Sequence, residues 1–152
     1  MQLRNFLGAA ALGPMSRGEE EEWVKSTWKD RQEKLRFTFV VEKMKEKEML
    51  GTASLFNCNW IDRSAILGID ILKPENWGKG YGTEAVRLLL DFAFRNLNLN
   101  RVELEVFDFN ERAQKCYRKT GFKEAGRRRQ AKVLDGKYRD VILMDILRNE
   151  WT

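Results

Sequence analysis

Three glycines separated by single residues stand directly before a helix-forming segment, in the stretch Asn76–Ala85 (NWGKGYGTEA). Glycine loses the most conformational entropy on ordering, so Gly78, Gly80 and Gly82 would weaken any helix or strand that contained them. The chain must form a loop here, and a helix follows it. Such a loop offers unpaired backbone N–H groups at the positive end of the helix dipole, and a bulky anion can approach because no Cβ atoms intervene. The pattern predicts a phosphate cradle, with a tight strand-to-helix turn as the alternative.

The segments around this loop alternate between strand and helix patterns. Alternating apolar residues predict strands, and apolar residues spaced three and four apart predict helices. The expected strands are Phe37–Val41, Leu50–Trp60, Ala65–Leu72, Arg101–Phe109 and the two arms of a hairpin that turns at Asp135–Gly136. The expected helices are Val86–Leu97 and Glu111–Lys119, the second of which ends before Gly121.

A helix that connects two neighbouring strands implies that these strands run parallel. The first helix has this position, whereas the first three strands read as an antiparallel meander. We therefore expect an α/β (α+β) fold with a mixed, mostly antiparallel sheet, one parallel strand pair and flanking helices. On the outer face of the first helix, Arg87 and Asp91 are expected to form an ion pair. Segment 16–30 predicts a short acidic helix with Ser16 as its cap.

The composition narrows the class of protein. A length of 152 residues, with 43% hydrophobic and 34% charged residues, predicts one globular domain over residues 1–152. No apolar run reaches the roughly 20 residues that span a bilayer, so we expect no membrane association. The absence of histidine removes Ser-His and Cys-His catalysis and most zinc sites, and we expect no metal. Cys58 and Cys116 are in no metal or redox spacing, which favours two small buried groups in a cytoplasmic protein.

Positive charge is concentrated in one segment of the chain. Between Arg112 and Lys132 there are nine basic residues and one acid, Glu124, in a chain of net charge +5. This favours an anionic partner, either a phosphorylated cofactor or nucleic acid, with a solvated basic face as the alternative. A nucleic-acid-binding module built on Arg127–Arg129 would need aromatic residues between the arginines, and none is present. We therefore expect no nucleic-acid partner.

A second motif follows the glycine loop. The stretch Asn110–Arg127 reads NERAQKCYRKTGFKEAGR and fits the pattern N-x-x-A-x-x-x-Y-x-K-x-G-F. The two motifs, in this order and with a strand between them, resemble the GNAT acetyltransferase superfamily. The resemblance runs over residues 37–151 and is greatest for the branch that contains ribosomal-protein N-terminal acetyltransferases and spermidine acetyltransferases.

The resemblance implies a GNAT fold in which acetyl-CoA lies between two splayed parallel strands. The cofactor-binding residues that it implies belong to the end of the strand before the loop, the loop itself and the second helix. They are Ile71, Leu72, Trp77, Gly78, Lys79, Gly80, Tyr81, Gly82, Thr83, Asn110, Ala113 and Tyr117. Trp77 replaces the polar residue with which this loop usually begins, and that change should alter cofactor affinity modestly.

The resemblance also implies catalytic groups. Backbone amides around Ile71 and Leu72 would stabilise the oxyanion, and Tyr117 would act as a general acid near the cofactor sulfur. Relatives often carry a glutamate as the base on the strand before the loop, where this chain has Ile66 and Leu67.

Several residues are therefore candidates for the general base. Asp70 is the nearest carboxylate and is the candidate base. Glu103 and Glu105 on the next strand, or a chain of water molecules, are the alternatives.

The activity that the resemblance implies is direct transfer of the acetyl group of acetyl-CoA to a primary amine. The acceptor would be a polypeptide N-terminus or a polyamine-like small molecule. A non-catalytic CoA-binding regulator of the same fold is the alternative. Family members usually have a longer segment before the first strand of the core, so residues 1–36 read as an atypical, shortened N-terminal region. Structure borrowed from a second copy would compensate for it, and we expect a homodimer.

Overall fold

One sheet of six strands organises the protein. The computed structural model describes residues 34–152 and, before them, Gly18, Glu21, Glu22 and Lys25. The strands are β1 (Phe37–Glu42), β2 (Met49–Asn59), β3 (Ser64–Ile71), β4 (Arg101–Phe107), β5 (Lys123–Leu134) and β6 (Lys137–Leu147). Helix α1 (Tyr81–Asp91) follows β3, and helix α2 (Glu111–Lys119) follows β4. Of the acidic helix predicted over residues 16–30, the four described residues are helical, and the predicted cap Ser16 lies outside the described residues.

The sheet contains one parallel pair, as the sequence predicts. Its strand order is β1-β2-β3-β4-β6-β5, and among these described strands only the neighbours β3 and β4 run parallel. These two strands pair over three positions, from Ser64 opposite Arg101 to Ile66 opposite Glu103. Beyond them β3 continues to Ile71 and β4 to Phe107 without pairing with each other, so the two strands separate toward their carboxyl ends. The mixed, mostly antiparallel sheet with one splayed pair is confirmed.

One face of the sheet carries the core. The apolar face predicted for α1 packs there, and Val86, Leu89 and Leu90 are all at most 3% exposed. On β4 the alternate side chains Val102, Leu104 and Val106 belong to the same core. Tyr117 of α2 joins this core, so both helices cover the same face. The opposite face therefore carries Glu103 and Glu105.

Helix α1 differs from its predicted outline at the carboxyl end. The regular helix ends at Asp91 and a π-helical turn, Phe92–Asn96, continues it. The predicted ion pair between Arg87 and Asp91 is not among the contacts of the described chain. The Asp91 carboxylate instead pairs with Arg95 at 3.2 Å and accepts a hydrogen bond from the Trp151 indole at 2.9 Å. No helix within the described residues has the length and apolar character needed to cross a bilayer.

Two predicted chain reversals are confirmed. Asp135 and Gly136 have φ values of 50° and 71°, as a two-residue hairpin turn requires, and they join β5 to β6. Helix α2 ends before Gly121, whose φ is 102°. Both turns depend on residues that tolerate a left-handed backbone, and that is why the sequence locates them.

Candidate functional site

A cleft of about 500 Å³ opens where β3 and β4 separate. One wall consists of the end of β3 and the glycine loop after it, and the other of β4 and α2. Ile69 and Ile71 of β3 and Glu105 and Val106 of β4 line the space between the strands. The cleft thus lies between the ends of β3 and β4, where the two backbones are not hydrogen-bonded to each other.

The glycine loop presents backbone donors to this cleft. Gly78 and Gly80 have φ values of 71° and 88°, and no protein atom lies within 4 Å of the place where either Cβ would stand. Gly80 is the N-cap of α1, and no side chain caps this helix. Among the described residues, the backbone amides of residues 78–83 donate no hydrogen bond to a protein acceptor. These N–H groups lie at the positive end of the α1 dipole, an arrangement that suits an anion such as a diphosphate.

Most residues predicted to bind a cofactor line the cleft. They are Ile71, Trp77, Gly78, Gly80, Tyr81, Gly82, Thr83, Asn110, Ala113 and Tyr117. Leu72 and Lys79 are exposed and are not part of its lining. Asp70, the predicted base, alternates with Ile69 and Ile71 along β3, so its side chain lies on the other face of the sheet.

The end of β3 directs one amide toward the gap. The Leu72 N–H donates to the carbonyl of Leu50 on β2 at 2.8 Å, so it is engaged within the sheet, contrary to the expectation for this residue. Successive N–H groups along a strand point to opposite sides, so the Ile71 N–H points away from β2. The Ile71 carbonyl points the same way and accepts a hydrogen bond from the Trp77 indole Nε1 at 3.0 Å. Of the two predicted oxyanion donors, only the Ile71 amide faces the gap.

Tyr117 and Asn110 enter the cleft from α2 and its N-cap. Tyr117 is 8% exposed, and its ring meets that of Phe122 edge to face at 5.9 Å between centroids. Burial raises the pKa of the Tyr117 phenol above its ordinary value, so the phenol keeps its proton at neutral pH. Asn110 is the N-cap of α2, and its Oδ1 accepts a hydrogen bond from the Ala113 amide at 3.2 Å. The predicted capping role of Asn110 is present, and its amide also lines the cleft.

The three candidate bases have different surroundings. Glu103 is paired with Arg101, and Glu105 is paired with Arg128. Burial raises the pKa of the Asp70 carboxyl, and Oδ1 of Asp70 is buried with no hydrogen-bond partner. Asp70 is therefore the carboxylate of the three whose charged form is least stabilised by the protein.

We expect Asp70→Asn to raise the midpoint of thermal unfolding at pH 7. A folded-state pKa above the unfolded value means that ionisation of Asp70 opposes folding once the pH exceeds the unfolded pKa, and asparagine removes that opposition. The gain over the wild type should shrink as the pH falls through the ordinary range of an aspartate. Scanning calorimetry at pH 7 and pH 4 measures both, with the exposed Glu46→Gln as a control that leaves the midpoint unchanged. A lower midpoint for Asp70→Asn at pH 7 would mean that a stabilising partner holds this carboxylate.

Several residues of the cleft were not predicted from the sequence. Asn76 is 4% exposed, lines the cleft and has an Nδ2 without a hydrogen-bond partner. Cys116 was expected to be a buried apolar group, but it is half-buried, lines the cleft and lies 3.4 Å from the Thr83 hydroxyl. The helical spacing of Cys116 from Ala113 was a signal for this position, because residues three apart share a helix face.

Trp77 and Arg112 meet across the mouth of the cleft. The Arg112 guanidinium carbon lies 3.5 Å from the centroid of the Trp77 ring, a cation–π contact, and both residues line the cleft. Trp77 belongs to the glycine loop and Arg112 to the first turn of α2. Burial lowers the pKa of Arg112, although a guanidinium remains charged at neutral pH. The contact therefore places a cation between the two walls.

The basic segment of residues 112–132 has two environments. Three of its side chains, on α2, line the cleft: Arg112, Lys115 and Lys119. Three others, on β5, pair with carboxylates: Lys123 with Glu150, Arg127 with Asp140, and Arg128 with Glu105. The positive charge next to the cleft thus comes from α2, whereas part of the charge on β5 is neutralised within the protein.

Comparison with known proteins gives consistent matches. The model of the acetyltransferase (GNAT) domain family matches residues 2–123. The spermidine N(1)-acetyltransferase of Vibrio cholerae is 36% identical over 113 residues, which are 74% of this chain and 64% of that protein. The enzyme of the same name from Escherichia coli K12 is 38% identical over 113 residues, 74% of this chain and 59% of that protein. YdaF of Bacillus subtilis, provisionally assigned as a ribosomal N-acetyltransferase, is 35% identical and covers 68% of this chain and 56% of its own.

A solved structure matches over most of the fold. The crystal structure of the Vibrio cholerae spermidine N-acetyltransferase in complex with CoA and spermine superimposes with a TM-score of 0.81 and 34% identity. The match covers 90% of this chain and 78% of that one. Against the curated relatives, by contrast, the chain spans about three fifths of their length.

Proposed function

Because the chain belongs to the acetyltransferase (GNAT) domain family, we propose that it is an enzyme that transfers the acetyl group of acetyl-CoA to a primary amine. The observation that carries the proposal is the glycine loop at the cleft between β3 and β4, where the amides of residues 78–83 donate to no acceptor within the described part of the chain. Such amides at a helix start are often capped by a side chain, and the described residues supply no such cap to α1. Their availability supports binding of an anion there.

The cleft suits coenzyme A chemically. The amides of residues 78–83 offer donors for its diphosphate, and Lys115 and Lys119 add positive charge from α2. The unpaired edge of β3 beyond Ile66 offers backbone donors and acceptors to the amide-rich arm of the molecule. Bound acetyl-CoA supplies a thioester, whose acetyl carbon an amine can attack.

Two groups of this chain fit the chemistry of that attack. The Ile71 amide faces the gap and would stabilise negative charge that develops on the acyl oxygen, because a fixed backbone dipole needs no reorganisation. The Tyr117 phenol keeps its proton because it is buried, and it would donate that proton to a leaving thiolate. Both groups lie beside the same cleft.

An amine acceptor fits the sheet face opposite the helices. Asp70 on β3 and Glu105 on β4 both project toward this face, beside the gap. Carboxylates attract a cationic amine, and burial raises the pKa of Asp70, which makes it a stronger proton acceptor than an ordinary aspartate. A polyamine-like acceptor is supported by the relatives from Vibrio cholerae and Escherichia coli, and a peptide N-terminus by YdaF.

Acetyl-CoA turnover with a panel of amines tests this function. We expect release of free coenzyme A with spermidine, spermine or peptides with a free N-terminus, and mass spectrometry of the product identifies the acetylated amine. Tight binding of coenzyme A without turnover on any amine would favour the alternative, a non-catalytic CoA-binding regulator.

We further propose a homodimer in the cytoplasm. Support for dimerisation comes from the edge strand β1 and the nearby turn, where Phe39, Val40 and Met44 are 40%, 56% and 89% exposed. Two free cysteines support a reducing compartment. Elution as a particle of about 18 kDa alone, the mass of one chain, would contradict the dimer.

A further inference from the structure

We propose that Arg112 is a ligand of the coenzyme A diphosphate and that Trp77 is the positioning residue that orients it. This inference rests on the proposed function, since it names further residues of the same site. It assigns a role to the tryptophan at the start of the glycine loop, for which the sequence alone predicted a modest change in cofactor affinity.

The Trp77 ring covers a face of the Arg112 guanidinium and not its N–H edge. The guanidinium carbon lies 3.5 Å from the Trp77 ring centroid, so the ring covers one face of the planar cation. The N–H bonds of a guanidinium lie in its plane and point outward, away from a stacked ring. A stacked arginine can therefore still bind a phosphate through two parallel N–H groups.

Trp77 is itself held in place. Its indole Nε1 donates to the Ile71 carbonyl at the end of β3, at 3.0 Å. The ring therefore reaches from the end of β3 to the first turn of α2, the two walls that the splayed strands separate. An arginine on an exposed helix surface samples many rotamers, and stacking on a fixed ring reduces the entropy that it loses on binding an anion.

The position of the stack points to the diphosphate. Trp77 directly precedes Gly78 in the loop whose amides are unpaired, so the Arg112 cation lies beside those donors. Both residues line the same cleft. An anion that accepts hydrogen bonds from the loop amides would thus be met from the opposite side by the guanidinium. Loop and α2 would converge on one group.

Isothermal titration calorimetry of coenzyme A with Arg112 variants tests the ligand role. We expect Arg112→Gln to weaken binding by about 10-fold to 100-fold, the usual effect of losing a charge-assisted hydrogen bond. Arg112→Lys keeps the charge but lacks the two parallel N–H groups of the guanidinium, so its affinity for coenzyme A should lie between that of Arg112→Gln and that of the wild type. The exposed Arg87→Gln on α1 makes the same charge change away from the cleft and should leave the affinity unchanged.

Two shortened ligands identify the phosphate. Dephospho-coenzyme A lacks the ribose 3′-phosphate but keeps the diphosphate, and Arg112→Gln should weaken its binding by the same factor. Pantetheine lacks every phosphate, and the variant should bind it as the wild type does. A loss that disappears with dephospho-coenzyme A would overturn the assignment to the diphosphate.

A double-mutant cycle tests the positioning role of Trp77. Trp77→Leu removes the ring, so Arg112→Gln in that background should cost much less affinity than in the wild type. Trp77→Phe keeps a ring face for the cation and should recover most of the coupling. In turnover assays, Trp77→Leu and Arg112→Gln should each raise the KM for acetyl-CoA by a larger factor than they lower kcat.

The outcomes separate this inference from the function on which it rests. A wild-type chain that binds no coenzyme A would overturn both. In a second outcome, the wild type binds coenzyme A, while Arg112→Gln binds it with an affinity within about twofold of the wild type and unfolds at the same midpoint. That result would overturn the inference and leave the proposed function standing. Additive effects of Trp77→Leu and Arg112→Gln would overturn the positioning role.

Discussion

Tyr117→Phe should lower kcat by about 100-fold to 10,000-fold, which is the range for loss of a general acid. The phenylalanine ring keeps the edge-to-face contact with Phe122 and fills the same buried site, so only the proton donor is removed. The affinity for coenzyme A should change by less than about threefold, because the phenol acts on the leaving group and the phosphates bind elsewhere. Steady-state kinetics and calorimetry measure the two effects separately.

The pH profile adds a second readout to this prediction. Because burial raises the Tyr117 pKa above its ordinary value, the wild type should keep its acid form well beyond pH 9. No decline of kcat that depends on the phenol is then expected between pH 7 and pH 9. Tyr138→Phe is the matched control, since Tyr138 is 67% exposed on the β5–β6 hairpin. A kcat that is equal in Tyr117→Phe and wild type would assign the acid to another group.

Gly80→Ala should weaken coenzyme A binding by on the order of 100-fold, the equivalent of losing about one strong charge-assisted hydrogen bond. The φ of Gly80 is 88°, which alanine adopts only with strain, so the loop would relax and turn its amides away. A Cβ that stayed in place would point into space that no protein atom occupies, where the anion is expected. Calorimetry with coenzyme A measures the loss.

A matched control separates backbone strain from the loss of the binding site. Gly136→Ala places the same methyl group at a φ of 71° in the β5–β6 turn, again with no protein atom within 4 Å of the new Cβ. Both variants should lose stability by similar amounts, about 1 kcal/mol. Only Gly80→Ala should lose affinity. Equal affinity in the two variants would mean that the loop amides do not hold the ligand.

Elements specified by short-range signals could be predicted from the sequence. Helix α2 begins and ends where its asparagine cap and its terminal glycine place it, since both act within a few residues. The Asp135–Gly136 turn has the same local origin. The parallel pair was predicted because a helix connects its two strands, and the glycine loop because glycine weakens a helix or strand that contains it.

Features set by contacts between distant residues could not be predicted. The Leu72 amide is engaged by Leu50, a partner that only the sheet register defines. Within the described residues Asp91 pairs with Arg95 rather than with Arg87, and it accepts from Trp151, which lies far along the chain. The residue types of the glycine loop and α2 were informative individually, but nothing local indicates that Trp77 and Arg112 would stack.

The short ladder between β3 and β4 has a mechanical meaning. The half-sheet β1–β2–β3 and the half-sheet β4–β6–β5 share three paired positions, so the sheet has a seam. A ligand that filled the gap would contact both β3 and β4 and would stabilise the two half-sheets relative to each other. The seam is where such a chain would first come apart without its ligand and where it would gain most resistance to proteolysis with it.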